Sequence, residues 1–347
     1  MRIRTAAAGL AALVTIAALP EGRIAARQED TKAAEVIAAA RKAIGGRKLD
    51  ALKSLGVEAA AQRNVGTFQM NADVEVLVEM PDKYMRTETP RGGMVAVGMT
   101  TGFNGDRPLK AAAAPGIGPG GAMIIRMGPS GAMPGPTEKP TPEQQQQIDR
   151  TIVRSSRQEL SRLMLGWFGA AHPSLNARVT HAGEAESPDG KAHVIDVKNA
   201  DGFAARLFID QATHLPLMLT YQGPQGRVVT MGGPPGTGRG AARGQQSENR
   251  QLTDDERTKL AEDERRRAEE LRTQPPAMVE YTLYFDDWRE VDGIKFPHRL
   301  RRAAAGATTE KWSVNKVRVN PKIDPRKFEA AGVSPGAPPT DSVRRER

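Results

Sequence analysis

Asn71-Ala72-Asp73-Val74-Glu75-Val76-Leu77-Val78-Glu79-Met80 decides the fold class. Ala72, Val74, Val76, Val78 and Met80 alternate with Asn71, Asp73, Glu75 and Glu79, and Leu77 alone breaks the period. This is the pattern of a strand with one packed and one wet face. Such strands belong to antiparallel sheets, because strands of a parallel sheet are covered on both faces and read as continuous apolar runs. Pro81 and Asp82 turn the chain into a strand at 83–89, and the turn at 90–93 leads to another at 94–101. The same grammar returns at 177–186, 191–198, 203–210 and 214–221, punctuated by Pro188-Asp189-Gly190 and Asp201-Gly202, and again at 278–288, 293–302 and 308–319.

Two helices are available to cover the sheet. At 30–44, Ala33, Ala34, Val36, Ile37, Ala40 and Ile44 share a stripe that Gly45 and Gly46 end. Thr141 or Pro142 opens a second helix to 168, with Ile148, Ile152, Val153, Leu160, Leu163, Met164 and Trp167 on one face. The fold class is α+β. The apolar face of the sheet draws on Val74, Val76, Val78, Leu207, Ile209, Leu215, Leu217, Leu219, Val279, Leu283 and Phe285.

The 347 residues carry a net charge of +9, with 39% hydrophobic and 26% charged residues, which suits a soluble globular chain. The 35 Gly and 25 Pro, against 4% aromatics, put part of that length outside any core. The absence of cysteine excludes disulfide scaffolds, thiolate metal sites, thiol catalysis and a lipid-modified N-terminal Cys. Arg2 and Arg4 precede an apolar run at 6–19 that stops at Pro20-Glu21-Gly22-Arg23. That run is shorter than the roughly 20 residues of a membrane span and reads as a signal peptide, 1–26, cut near Ala26. The alternative is an uncleaved anchor. The remainder reads as one domain over 27–331, interrupted by a Gly/Pro-rich insert at 111–141 without sustained period and a low-complexity insert at 223–276, followed by a disordered tail at 332–347. Within the second insert, Asp255/Lys259, Glu262/Arg266 and Asp263/Arg267 stand at i, i+4 spacing, the mark of a solvated helix.

No catalytic constellation emerges. Residues 233–240 imitate a nucleotide-binding loop, but Arg239 replaces the phosphate-reaching lysine and Gly240 the hydroxyl residue, while 116–121 lacks a strand–helix context and contains Pro119. His172, His181, His193, His214 and His298 show no metal-ligand spacing, so no metal and no cofactor are expected. Asp286 and Asp287 are adjacent in a strand and point to opposite faces, so they cannot act as one acid/base pair. Ser155, Ser156 and Ser161 lie in a helix without a nucleophile elbow. Arg239, Arg243, Arg250, 265–267 and the terminal Arg344, Arg345 and Arg347 offer transient contact with an anionic membrane surface, and export argues against nucleic acid.

The order of several segments resembles the outer-membrane lipoprotein-sorting, LolA-like family. They are Ile44-Gly45-Gly46 before Leu49-Asp50-Ala51-Leu52, Met80-Pro81-Asp82-Lys83-Tyr84-Met85-Arg86, Asn104-Gly105-Asp106 and Asp210-Gln211-Ala212-Thr213-His214-Leu215-Pro216. The stretch from Tyr284 to Pro297, containing Val291-Asp292-Gly293, and that from Asn320 to Phe328 complete the set. A Trp shortly after Asn104-Gly105 is missing, and both inserts exceed those of compact carriers. The resemblance implies a strongly curved antiparallel half-barrel, closed by the N-terminal and central helices, around an apolar cavity for acyl chains. The expected lining is Val74, Val76, Val78, Met80, Leu207, Ile209, Leu217, Leu219, Val279, Leu283 and Phe285, with Leu163 and Trp167 from the helix. It further implies a soluble periplasmic, non-enzymatic carrier of lipid or acylated lipoprotein in outer-membrane biogenesis. The alternative is an envelope regulatory or protein-interaction module whose core is packed, since alternation serves a cavity and a closed core equally. Oligomeric state is not legible.

Overall fold

Every strand pair in the computed structural model is antiparallel, as the alternation requires. The structure describes residues 24–65, 68–91, 99–109, 116–117, 123–126, 141–188, 190–225, 228–231, 266 and 277–329. Helix α1 (Ile24–Ile44) and a single turn, α2 (Arg47–Asp50), lead into β1 (Ser54–Val65), β2 (Phe68–Glu79), β3 (Lys83–Pro90), β4 (Met99–Asn104) and β5 (Arg107–Pro108). Two short strands, β6 (Gly116–Ile117) and β7 (Met123–Arg126), precede helix α3 (Pro142–Phe168). Then come β8 (Arg178–Ser187), β9 (Gly190–Lys198), β10 (Ala204–Asp210), β11 (Pro216–Pro224), β12 (Val228–Met231), β13 (Met278–Val291), β14 (Ile294–Ala304) and β15 (Ala307–Val319). Twelve of these strands form one open sheet in the order β5-β4-β3-β2-β1-β15-β14-β13-β11-β10-β9-β8. The first and last long strands pair at its centre, so both halves of the chain are needed to complete it.

The sheet is strongly curved. Strands β4 and β11 lie seven steps apart in the order, about 34 Å if the sheet were flat at roughly 4.8 Å per strand. Yet Arg157 of α3 donates to Asp106 Oδ1 (2.9 Å) beyond β4, while Arg162 of the same helix lies over the Tyr221 ring of β11 (4.1 Å). Those two arginines are separated by only about 7.5 Å of helical rise. The sheet must therefore curl around the helix to bring both strands within reach. Its concave face and the two long helices share one core that includes Ala33, Ala40, Val57, Val76, Leu160, Trp167, Ile195, Leu207, Leu283 and Phe285.

Local chemistry sets the helix and turn positions. Thr141 Oγ1 accepts from the Gln144 amide and the Gln144 side chain accepts from the Thr141 amide, a capping box that fixes the start of α3 with Pro142 in its first turn. Gly169, at φ 63°, closes it. The β13–β14 hairpin turns through Asp292 (φ 52°) and Gly293 (φ 79°), the left-handed pair a tight hairpin needs.

Several expectations change. Ile148 is 45% exposed, because the buried face of α3 begins only at Val153. Leu77 does not disturb its strand: with Met85, Leu109 and Phe328 it forms a second small core on the convex face, under the 3-10 turn Pro325–Phe328. The strand expected at 94–101 is described only from Met99, and it continues to Asn104 because Phe103 pairs with Tyr84. Within the segment read as lacking regular structure, Met123–Arg126 pairs with both Gly116–Ile117 and Val228–Met231, so β-branched runs link the two inserts in a small second sheet. Residues 1–23 of the expected signal peptide, the loop at 233–240, most of the charged segment at 252–271 and the tail at 332–347 lie outside the described residues.

Candidate ligand hollow and its buried charge cluster

The concave face is where a ligand would sit, and the structure divides it into two unlike parts. The first is apolar. Around the last turns of α3, Leu163, Met164, Leu165, Trp167 and Phe168 are all buried, so the helix end is wrapped on every side. Trp167 lies 4.9 Å from the Phe296 ring, centroid to centroid. Gly166 meets Phe285 so closely that a Cβ would fall 1.9 Å from the ring, and only glycine lets helix and strand approach this far. Beside this cluster, an apolar crevice lined by Leu52, Leu55, Phe168, Val291, Ile294 and Phe296 admits no water-sized sphere.

The second part is charged. In-phase residues of β3 point inward as Tyr84, Arg86 and Glu88, and β15 presents Glu310, Trp312 and Val314 in the same way. The Arg86 side chain, 4% exposed, contacts Glu159 of α3, Glu88 (2.7 Å) and Glu310 (2.9 Å), with its guanidinium over the Trp312 ring at 4.7 Å. Glu310 also receives Arg63 (2.9 Å), Arg302 (3.4 Å) and the Trp312 indole N–H (2.8 Å). Burial by itself would raise the Glu310 carboxyl, but Arg86, Arg302 and Arg63 hold it well below the ordinary range. Glu88 is lowered against the same burial by Arg86 and Arg63. Burial pushes the Tyr84 hydroxyl well above its usual value. A carboxylate held this strongly ionised is a poor base, and guanidinium groups do not give up protons near neutral pH, so the cluster can clamp and orient but is ill suited to moving protons.

The expected lining residues can now be placed. Val74, Val76, Val78, Leu207, Ile209, Leu219, Leu283, Phe285, Leu163 and Trp167 are buried in the common core, and Met80 and Val279 are half-buried. Leu217 is 43% exposed. Leu207 pairs with Leu219 and Ile209 with Pro216, so a bulge in β11 leaves Leu217 out of the inward row that Leu215, Leu217 and Leu219 would form in an ideal strand. Asp287 has a left-handed backbone (φ 57°) and pairs with Arg289 at 2.7 Å. Ser161 accepts from the His172 amide and serves the chain turn after α3. The His172 ring, with its Nε2 against the Pro81 carbonyl, is held below its ordinary pKa by burial. The conspicuous omission from the sequence reading is Arg63, Arg86, Glu88, Glu159, Arg302 and Glu310. Their signal was present: charged residues recur in phase with apolar ones along 84–88 and 310–314.

No family model matches the chain, and no curated protein matches it. Among solved structures it is similar to a LolA superfamily protein from Nitrosomonas europaea, at 10% identity and TM-score 0.44, over 85% of this chain and 96% of that one. A putative outer membrane lipoprotein-sorting protein domain from Vibrio parahaemolyticus gives 10% identity and TM-score 0.40, over 86% and 97%. A DUF1329 family protein from Desulfovibrio piger gives 10% and 0.35, over 86% and 97%. No helix among the described residues is long and apolar enough to cross a membrane.

Proposed function

We propose that the chain is an exported periplasmic binding protein that works without bond chemistry, and that in its resting form it is a protein-interaction module of the envelope. One observation carries this reading: Trp167, Phe168 and Phe296 pack against one another on the concave face, Phe285 packs against Gly166 of the same helix end, and the crevice lined by Phe168 and Phe296 admits no water-sized sphere. A face closed in this way leaves the outer surface and the inserts to engage a partner. The buried charges support a binding role over a catalytic one, since multiple pairing around Glu310, which holds its carboxyl well below the ordinary range, favours fixed geometry.

A second reading, a carrier of lipid or acylated lipoprotein, is favoured by the way α3 is attached. The helix meets the charged end through side chains alone, Glu159 on Arg86 and Arg162 over Tyr221, while the strand ladder is complete without it. Lifting α3 would expose the rows around Val76, Leu207 and Leu283 without breaking a strand pair, and an acyl chain gains about 0.8 kcal/mol per buried methylene.

Native mass spectrometry and organic extraction of the protein purified from the periplasm separate the two. The module predicts no stoichiometric lipid and specific cross-links to an envelope protein. One acylated species per chain, lost when α3 is locked to the sheet by an engineered disulfide, would replace it with the carrier.

A further inference from the structure

The edge of the sheet farthest from the charge cluster carries an arrangement that the sequence spacing hid. His181 and Glu184 lie on β8 and His193 on β9. In an unbroken strand, residues 181 and 184 would face opposite sides. The register of β8 shifts between His181 and Gly183, so that His181 pairs with Ile195 and Glu184 pairs with His193. Since residues 193 and 195 share a face of β9, the bulge brings His181, Glu184 and His193 to one side of the sheet. One ligand atom from each of the three lies within 4.8 Å of the others. The two imidazole rings are 5.6 Å apart, edge to face. His193 Nδ1 is buried without a hydrogen bond, 3.7 Å from Glu184 Oε1. That separation is too long for a hydrogen bond. It is close to the roughly 3.4 Å between two ligands of one tetrahedral ion with bonds of about 2.0–2.1 Å.

We propose that His181, Glu184 and His193 bind one divalent first-row transition-metal ion of the zinc type. Two imidazole nitrogens and one carboxylate oxygen suit zinc, cobalt, nickel or copper and disfavour magnesium and calcium, which take oxygen ligands. Three protein ligands leave a fourth position for water or a partner's donor. Glu184 is exposed and β8 is the edge of the sheet, so that position is reachable from outside. The bulge is the decisive element, for without it the carboxylate would turn away from both rings.

The test uses the untagged full chain, stripped with a chelator and titrated with Co²⁺ followed by visible absorption and with Zn²⁺ followed by calorimetry. One ion per chain is expected, with ligand-field bands of a four- or five-coordinate site. His181→Gln/His193→Gln should weaken binding by about a hundredfold and Glu184→Gln by about tenfold, with unchanged circular dichroism. His298→Gln, distant in the fold, should leave both titrations unchanged. Absence of saturable binding in the wild-type chain, full binding by the double variant, or a loss in His298→Gln would each overturn the assignment. If the double variant does not fold, the exposed Glu184→Gln decides alone: unchanged affinity there also rejects the site.

Discussion

The two ends of the concave face are both largely withdrawn from water, the apolar end more completely, and are held by different physics. Around Trp167, Phe285 and Phe296, the contacts are apolar and depend on shape and volume. Around Glu310, four arginines and three glutamates are enclosed together, counting Arg162 over its aromatic rings, and the arrangement depends on every charge keeping a partner. A buried ion network of this kind adds little net stability over an apolar filling, because desolvation offsets most of the Coulomb gain. Its value lies in geometry. Arg86 can meet Glu88, Glu159 and Glu310 at once only when α3, β3 and β15 are in one register, so the charged end fixes where the helix docks and the apolar end supplies the energy of docking.

The comparison can be broken most violently at the apolar end. Val76 is fully buried, and Val76→Asp would place an unpaired carboxylate in that row. We expect no cooperative urea transition and loss of the near-ultraviolet signal. A variant that folds with near-native stability would mean that the row stands open rather than packed.

A smaller effect is expected at the charged end. Glu310→Gln leaves Arg86, Arg302 and Arg63 without their shared partner and should cost about 3–5 kcal/mol. Adding Arg86→Met should recover part of that loss, a coupling that a double-mutant cycle in urea would measure. The pH dependence has a definite sign. Glu310 and Glu88 are lowered in the folded chain, so the stability they contribute is present above the ordinary carboxylate range and is lost as pH falls through their folded values. Urea midpoints measured downward from neutral pH should therefore decline in the acid range, and less steeply in Glu310→Gln. An identical acid limb in both proteins would show that the network is not what acid dissolves. The smallest effect belongs to Leu217. Its replacement by Ser should change stability by no more than about 0.5 kcal/mol, because the bulge has already turned it to solvent.

Much of this architecture is visible in the residues. Strand β2, the hairpin turns and both long helices follow from alternation, turn chemistry and the Thr141 cap. Strand β1 was not, because Ala59, Ala60 and Ala61 give both faces the same character and erase the period. Leu77 and Leu217 misled in opposite directions. An apolar residue out of phase had its own small core outside, while one in phase was displaced by a bulge that no composition rule marks. His181 and His193 look unrelated in the chain and become neighbours through strand pairing.

The amino-acid order by itself determined that the strands are antiparallel and one-sided and that two amphipathic helices must lie on them, since these depend on periodicities of a few residues. The tertiary structure alone decided that Trp167, Phe168 and Phe296 pack together on the concave face, that an ion cluster occupies one end, and that two histidines and a glutamate converge at an edge. Each of these depends on the sheet's curl and on bulges that set which distant residues share a face, and neither quantity is written in any local stretch of the chain.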